Sequence, residues 1–229
     1  MAMLAESMAA AAAGAGSAVR GALQSVSVLI FRGRGRRYLT AVVEMTAVPM
    51  ASRAAGLPVR ELTLLPIQPI AAEAISEIAA QLQARGIEVH VKPSILRPAG
   101  AYDARRRQLR ADVLLRRVAL ASERPVVGLT DADCYVPPLN FVFGVARPGG
   151  DSALVTLARL RTRAGGTTFM RRAMKEIFHE AGHGAGLPHC SDPRCVMHFS
   201  NSLTETDAKG EQLCAVCRRR LRARACASR

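Results

Sequence analysis

Metal-binding side chains crowd the stretch from His179 to Cys217. It reads HEAGHGAGLPHC at 179–190, CVM at 195–197 and CAVC at 214–217. Any fold this chain adopts has to gather those side chains, so the stretch constrains the fold more than any other. His179 and His183 are four residues apart, which on a helix puts both imidazoles on one face, able to share one ion. Glu180 stands beside them, placed to hold and deprotonate a water. Gly186 follows three residues after His183, where the helix has to stop, and glycine tolerates the positive φ that a sharp reversal needs. His189 then returns as a third ligand. Three protein ligands and one open position describe catalytic zinc, whose water is acidified and whose charge polarises a carbonyl. Glu180 is the expected general base. His198 and Asp192 remain alternative third ligands on a different loop path.

The cysteines carry the second constellation. Cys190, Cys195, Cys214 and Cys217 are spaced as two close pairs across a loop, as a tetrahedral four-thiolate site requires. Such a site has no room for water, so its zinc is expected to be structural. His189 and Cys190 are adjacent, and neighbours on extended backbone point to opposite sides. The four-cysteine site is therefore expected to clamp the loop that delivers His189. Met197 is expected to form an apolar floor beneath the histidines.

Regular patterning begins at Glu61. Leu62 to Ile67 reads as a buried strand. Ala71 to Arg85 reads as a helix with Ile75, Ile78, Ala79 and Leu82 inward and Gly86 as its stop. Ile87 to Val91 is a strand. Asp103 to Ser122 reads as an Arg-rich helix with Leu109, Val113 and Leu120 inward. Pro125 to Thr130, Leu139 to Ala146 and Ala153 to Leu160 read as strands. Thr167 or Thr168 is expected to cap a helix running through His183, read as the last regular helix. Strands alternating with helices indicate an α/β (α+β) layer. Aromatic residues make up 4% and Trp is absent, so the core has to rest on Leu, Val, Ile and Ala.

Residues 1–58 read as a low-complexity basic extension, with possible strands at Ser25 to Phe31 and Tyr38 to Val48 around the turn Arg32 to Arg37. Residues 59–217 read as the catalytic domain, and 218–229, with Cys226, as a solvated basic tail. The net charge is +14, which attracts anionic surfaces without defining a function. No apolar run reaches membrane-spanning length, and the N-terminus is a poor secretory signal. A cytoplasmic location is expected, with metal binding the better default for the cysteines than disulfides.

Taken together these residues resemble the metzincin clan of metallopeptidases. The interleaved cysteines are more specific. His179, Glu180, His183, Gly186, Cys190, Cys195, Met197, Cys214 and Cys217 resemble the archaemetzincin family's HExxHxxGxxxC, C-x-M and CxxC. Thr130 to Tyr135 and Leu139 to Gly144 look like its strand and loop before the active-site helix. The resemblance covers roughly Glu61 to Cys217; Cys134, standing where a larger apolar residue is expected, departs from it as a small core filler. It implies a compact domain with a twisted mixed sheet, an active-site helix and a short cysteine-stapled lower part. It implies a zinc metallopeptidase with two zincs, no membrane partner, and a peptide or protein substrate lying along Leu139 to Ala146 or Ala153 to Leu160. A monomer is expected. The competing readings are a basic zinc-ribbon-like module that binds nucleic acid, which lacks an aromatic platform near the cysteines, and a metzincin fold without peptidase activity.

Overall fold

A computed structural model describes residues 27–33, 36–42, 56–121, 123 and 125–227. The chain divides into two compact units, Met1–Arg53 and Ala54–Arg229. In the first, β1 (Ser27–Gly33) and β2 (Arg36–Val42) pair antiparallel, from Ser27 opposite Val42 to Gly33 opposite Arg36. The remainder of the expected extension up to Ala55, including the ends of both expected strands, lies outside the described residues.

The second unit is built on a five-stranded sheet in the order β4-β3-β7-β10-β9, formed by β3 (Glu61–Pro66), β4 (Glu88–Val91), β7 (Val126–Thr130), β9 (Gly144–Arg147) and β10 (Ser152–Thr156). The first four strands in that order run parallel, and β9 closes the edge antiparallel to β10. Every residue of β7 and β10 is buried, as expected for parallel strands covered on both faces. Alternation along the strands separates two cores. Leu62, Leu64, Val127, Leu129 and Val155 pack with helix α1 (Ala72–Ala84) and helix α3 (Gly166–Gly184). Leu65, Val126 and Leu154 pack on the other side with helix α2 (Ala111–Val118). A smaller sheet of β5 (Tyr102–Asp103), β6 (Gln108–Arg110) and β8 (Cys134–Tyr135) joins the second core. Cys134 is fully buried there as the small filler its position suggests, and burial pushes its thiol up to about 12. After α3 come α4 (Leu203–Ala208), which packs on it, and α5 (Ala215–Ala227).

α1 follows its apolar period closely, burying Ile75, Ile78, Ala79 and Leu82, with Gly86 at φ 82 beyond its end. Other elements differ from the expectation. The helix expected over Asp103 to Ser122 is a hairpin followed by a two-turn helix. Asp103 Oδ1 accepts from the amides of Arg105 and Arg106, and Arg107 adopts φ 57. That local turn competes with helix nucleation, so β5 and β6 pair instead. Leu109 is buried from a strand, Leu114 and Val118 supply the helical face, Val113 is half-buried, and Leu120 is 76% exposed. The strand expected over Leu139 to Ala146 begins only at Gly144, because Arg106 Nη2 and Gln108 Nε2 donate to the Asn140 carbonyl, each at 3.0 Å. The strand expected over Ala153 to Leu160 stops at Thr156 and is interior, leaving β9 as the edge. α3 begins after Gly165 with no side-chain cap, so neither Thr167 nor Thr168 caps it. α4 and α5 follow it, so α3 is not the last helix. The basic run from Arg218 forms part of α5, and at the other end Leu57 packs in the first core.

Candidate metal centre and catalytic cleft

α3 is buried along nearly its whole length, yet it carries Arg172, Lys175, Glu176, His179 and Glu180. Burying polar groups is costly unless they find partners, and for Arg172, Lys175 and Glu176 the segment from Thr206 to Lys209 supplies them. Arg172 pairs with Asp207 at 2.6 Å. Lys175 Nζ donates to the carbonyls of Thr206 and Asp207 at 2.9 and 2.8 Å. Lys209 and Glu176, with side chains 0% and 4% exposed, lie 2.9 Å apart. Their angle does not make a hydrogen bond, so charge holds this pair.

The helix ends in a Schellman turn. Gly186 N donates to His183 O at 2.8 Å, Leu187 N donates to Gly182 O at 2.9 Å, and Gly186 takes φ 84. The reversal carries His189 back toward the helix. The ring nitrogens of His179, His183 and His189 lie within 4.8 Å of one another. His179 Nδ1 lies 2.8 Å from Val196 O, and His183 Nδ1 lies 2.8 Å from Leu187 O. Each carbonyl fixes the proton on Nδ1 and leaves the Nε2 lone pair facing the cluster, the arrangement that backs metal-binding histidines. The two Nε2 atoms are 3.2 Å apart. Two facing lone pairs repel unless a cation lies between them, so the donor set fits a metal ion. Burial, followed by the Lys209 charge, pushes His179 down to about 2. Burial also lowers His183 and His189. All three are therefore held neutral, as ligation requires.

Glu180 faces the same space. Burial pushes its carboxyl well up, Glu176 adds to the push, and Lys209 opposes it. The start of β9 presses against it: a Cβ on Gly144 would lie 2.5 Å from Glu180 Cγ. Met197 is fully buried, and a Cβ on Gly182, between the two helical histidines, would lie 2.3 Å from its sulfur. Glycine at 182 thus lets the methionine pack directly beneath the helix.

The sulfurs of Cys190, Cys195, Cys214 and Cys217 form the second group within 4.8 Å. None is bridged to another. The Cys214 amide donates to Cys195 Sγ at 3.3 Å, and the Cys217 amide to Cys214 Sγ at 3.5 Å. Burial alone would raise the Cys214 thiol, but the Cys217 amide and neighbouring cysteines outweigh it and leave it at about 7. His189 and Cys190 do enter different clusters. Neither alternative ligand joins the histidines: His198 Nδ1 is 3.0 Å from Cys190 O, and Asp192 Oδ1 accepts from Arg194 N at 2.9 Å.

A cleft of about 620 Å³ runs past Glu176, Glu180 and the three histidines, walled by Phe141, Phe143 and Phe199. Phe199 meets the His189 ring at 5.0 Å. Sequence reasoning missed Glu176, although it sits four residues before Glu180 and so shares its helical face. Lys209 carries no comparable signal, because its burial depends on a partner distant in sequence.

Three neutral imidazoles converging beside a buried carboxylate, above a methionine and next to four clustered thiols, define the zinc metallopeptidase class. Residues 101–223 match the profile of Peptidase family M54. The archaemetzincin of Pyrobaculum aerophilum is 47% identical over 119 residues, covering 52% of this chain and 74% of that one. The archaemetzincin of Haloquadratum walsbyi is 36% identical over 172 residues, covering 69% of this chain and 97% of that one. The crystal structure of the Archaeoglobus fulgidus archaemetzincin complexed with malonate is 34% identical with a TM-score of 0.63, covering 69% of this chain and 98% of that one. The Methanopyrus kandleri archaemetzincin structure is 35% identical with a TM-score of 0.63, covering 73% and 96%. The chain belongs to the archaemetzincins, peptidase family M54.

Proposed function

We propose that the chain hydrolyses peptide bonds with a zinc held by His179, His183 and His189 and with Glu180 as general base. The observation that carries this reading is the meeting of three inward-facing imidazole nitrogens at one point, two of them backed by carbonyls, beside Glu180. Zinc held there would acidify a water to a pKa of about 7 and polarise the scissile carbonyl. Glu180 accepts the proton of the attacking water and passes it to the leaving amine. Its buried setting favours the protonated acid, and a dication alongside favours the carboxylate. Substrate lies extended along the outer edge of β9, with its side chains against the apolar cleft wall.

A second, structural zinc belongs to Cys190, Cys195, Cys214 and Cys217, with Met197 supporting the histidines from below. Four close, unbridged thiols suit a reducing compartment, so we place the protein in the cytoplasm. No helix among the described residues is long and apolar enough to cross a membrane. Every residue in this scheme comes from one chain, so the reading needs no second copy, and a monomer is the state we propose.

Native mass spectrometry tests the metal assignment. Two zincs per chain are expected, one resistant to mild chelation, and peptide hydrolysis should vanish on chelation and return with added zinc. One zinc, or hydrolysis indifferent to chelation, would remove the scheme. The clamp has its own test. Cys214→Ser is expected to weaken the catalytic zinc about tenfold or more, the usual cost of losing a supporting shell. Unchanged affinity at that site would mean the two clusters act independently.

A further inference from the structure

The profile match ends at residue 223, and the next residue makes a contact that the basic composition of this run conceals. α5 starts at the cysteine cluster and continues two turns past Cys217 to Arg224, roughly 10 Å along its axis. There the Arg224 guanidinium lies against Gly186. A Cβ on Gly186 would fall 2.4 Å from Nη2, 2.5 Å from Cζ and 2.6 Å from Nε. Nearly equal distances to three atoms of one plane describe a face, not an edge, resting on the glycine. Gly186 is demanded by its φ of 84, and a side chain there would push the guanidinium, the free end of a long side chain, off the turn.

The same group reaches the β9–β10 turn, where Nη2 would be 3.7 Å from a Cβ on Gly149. That turn is itself bonded to the end of α3, Gly149 N donating to His183 O at 3.1 Å and Asp151 N to Gly184 O at 3.3 Å. Arg224 thus covers the junction of three pieces: the end of α3, the turn after β9, and the loop leading to His189. A cation at a helix C-terminus also complements the helix dipole.

We propose that Arg224 is a positioning residue for the zinc-holding turn, and that α5 is a strap fixed at two points. At one end Cys214 and Cys217 hold Cys190. At the other Arg224 holds Gly186. The short segment between them, which ends in His189, is left without slack. The inference rests on the reading of His189 as a zinc ligand.

The test uses the full zinc-loaded chain, with the rate of zinc loss to a chelator counted per site by native mass spectrometry. Arg224→Ala is expected to release the catalytic zinc about tenfold faster, with the thiolate-held zinc and the thermal midpoint little changed. Arg224→Lys should behave like the alanine variant, because a point ammonium does not replace a planar stack. Gly186→Ala suffers from its φ and itself pushes the guanidinium aside, so adding Arg224→Ala should speed zinc release little further. Zinc release from Arg224→Ala within twofold of the unaltered chain, or fully additive effects in the double variant, would overturn the proposal. His189→Ala serves as the control. If it loses zinc while Arg224→Ala does not, the strap alone fails; if it keeps zinc at full affinity, the ligand reading fails and the strap with it.

Discussion

Glu180→Ala is expected to keep both zincs and to lower kcat by about 10²–10⁴-fold, the usual contribution of a positioned proton-transfer group. The expectation follows from where the carboxyl sits. It is buried, it faces the cleft beside the three imidazoles, and β9 reaches it at Gly144 with no side chain between. No ligand nitrogen depends on it, since His179 and His183 are oriented by the carbonyls of Val196 and Leu187. Metal content and activity should therefore separate. The isosteric Glu180→Gln removes the base without leaving a void against Gly144, and it should be as inactive as the alanine variant. Hydrolysis by either variant at more than a tenth of the original kcat would dismiss Glu180 as the base.

The second large effect concerns stability. Lys209→Met leaves Glu176 as an uncompensated buried carboxylate on the face of α3. Breaking one side of a buried ion pair costs about 3–5 kcal/mol. For a chain of this size that lowers Tm by roughly 10 °C. The cost should lie in the stranded charge and not in lost packing, because the two atoms are held at 2.9 Å without a directed hydrogen bond. Adding Glu176→Gln to Lys209→Met should then restore most of the lost stability. Thermal unfolding of the three variants decides it. A double variant as unstable as Lys209→Met would show that the lysine acts through its contacts with the lower part, such as the His198 carbonyl, and not through Glu176.

The parts of this molecule that sequence reading captures are those set by spacing along one element. His179, Glu180 and His183 belong to a single helix, so helical geometry alone aligns them. Gly186 announces the reversal because so few residues accept its φ. The cysteine pairs are each local and point to one centre. The core strands β3, β7 and β10 announce themselves as apolar runs, since both their faces are covered. The failures share a different cause. Asp103 to Arg110 has the charge and apolar spacing of a helix, but the Asp103 side chain bonds the amides of Arg105 and Arg106 and turns the chain. Asn140 sits in a strand-like run, yet its carbonyl is taken by Arg106 and Gln108 from another sheet. Glu176, Lys209 and Arg224 are charged residues whose surroundings are supplied by distant segments, and no local pattern encodes that.

The adjacency of His189 and Cys190 carries one more consequence. Two clusters are served by consecutive positions, so they share a single reading frame. One inserted or deleted residue between Gly186 and Cys190 would not merely stretch a loop. It would exchange the faces, aiming an imidazole at the thiols and a sulfur at the imidazoles. A surface loop tolerates changes of length when nothing depends on its register, but this one has a cluster depending on it from each side.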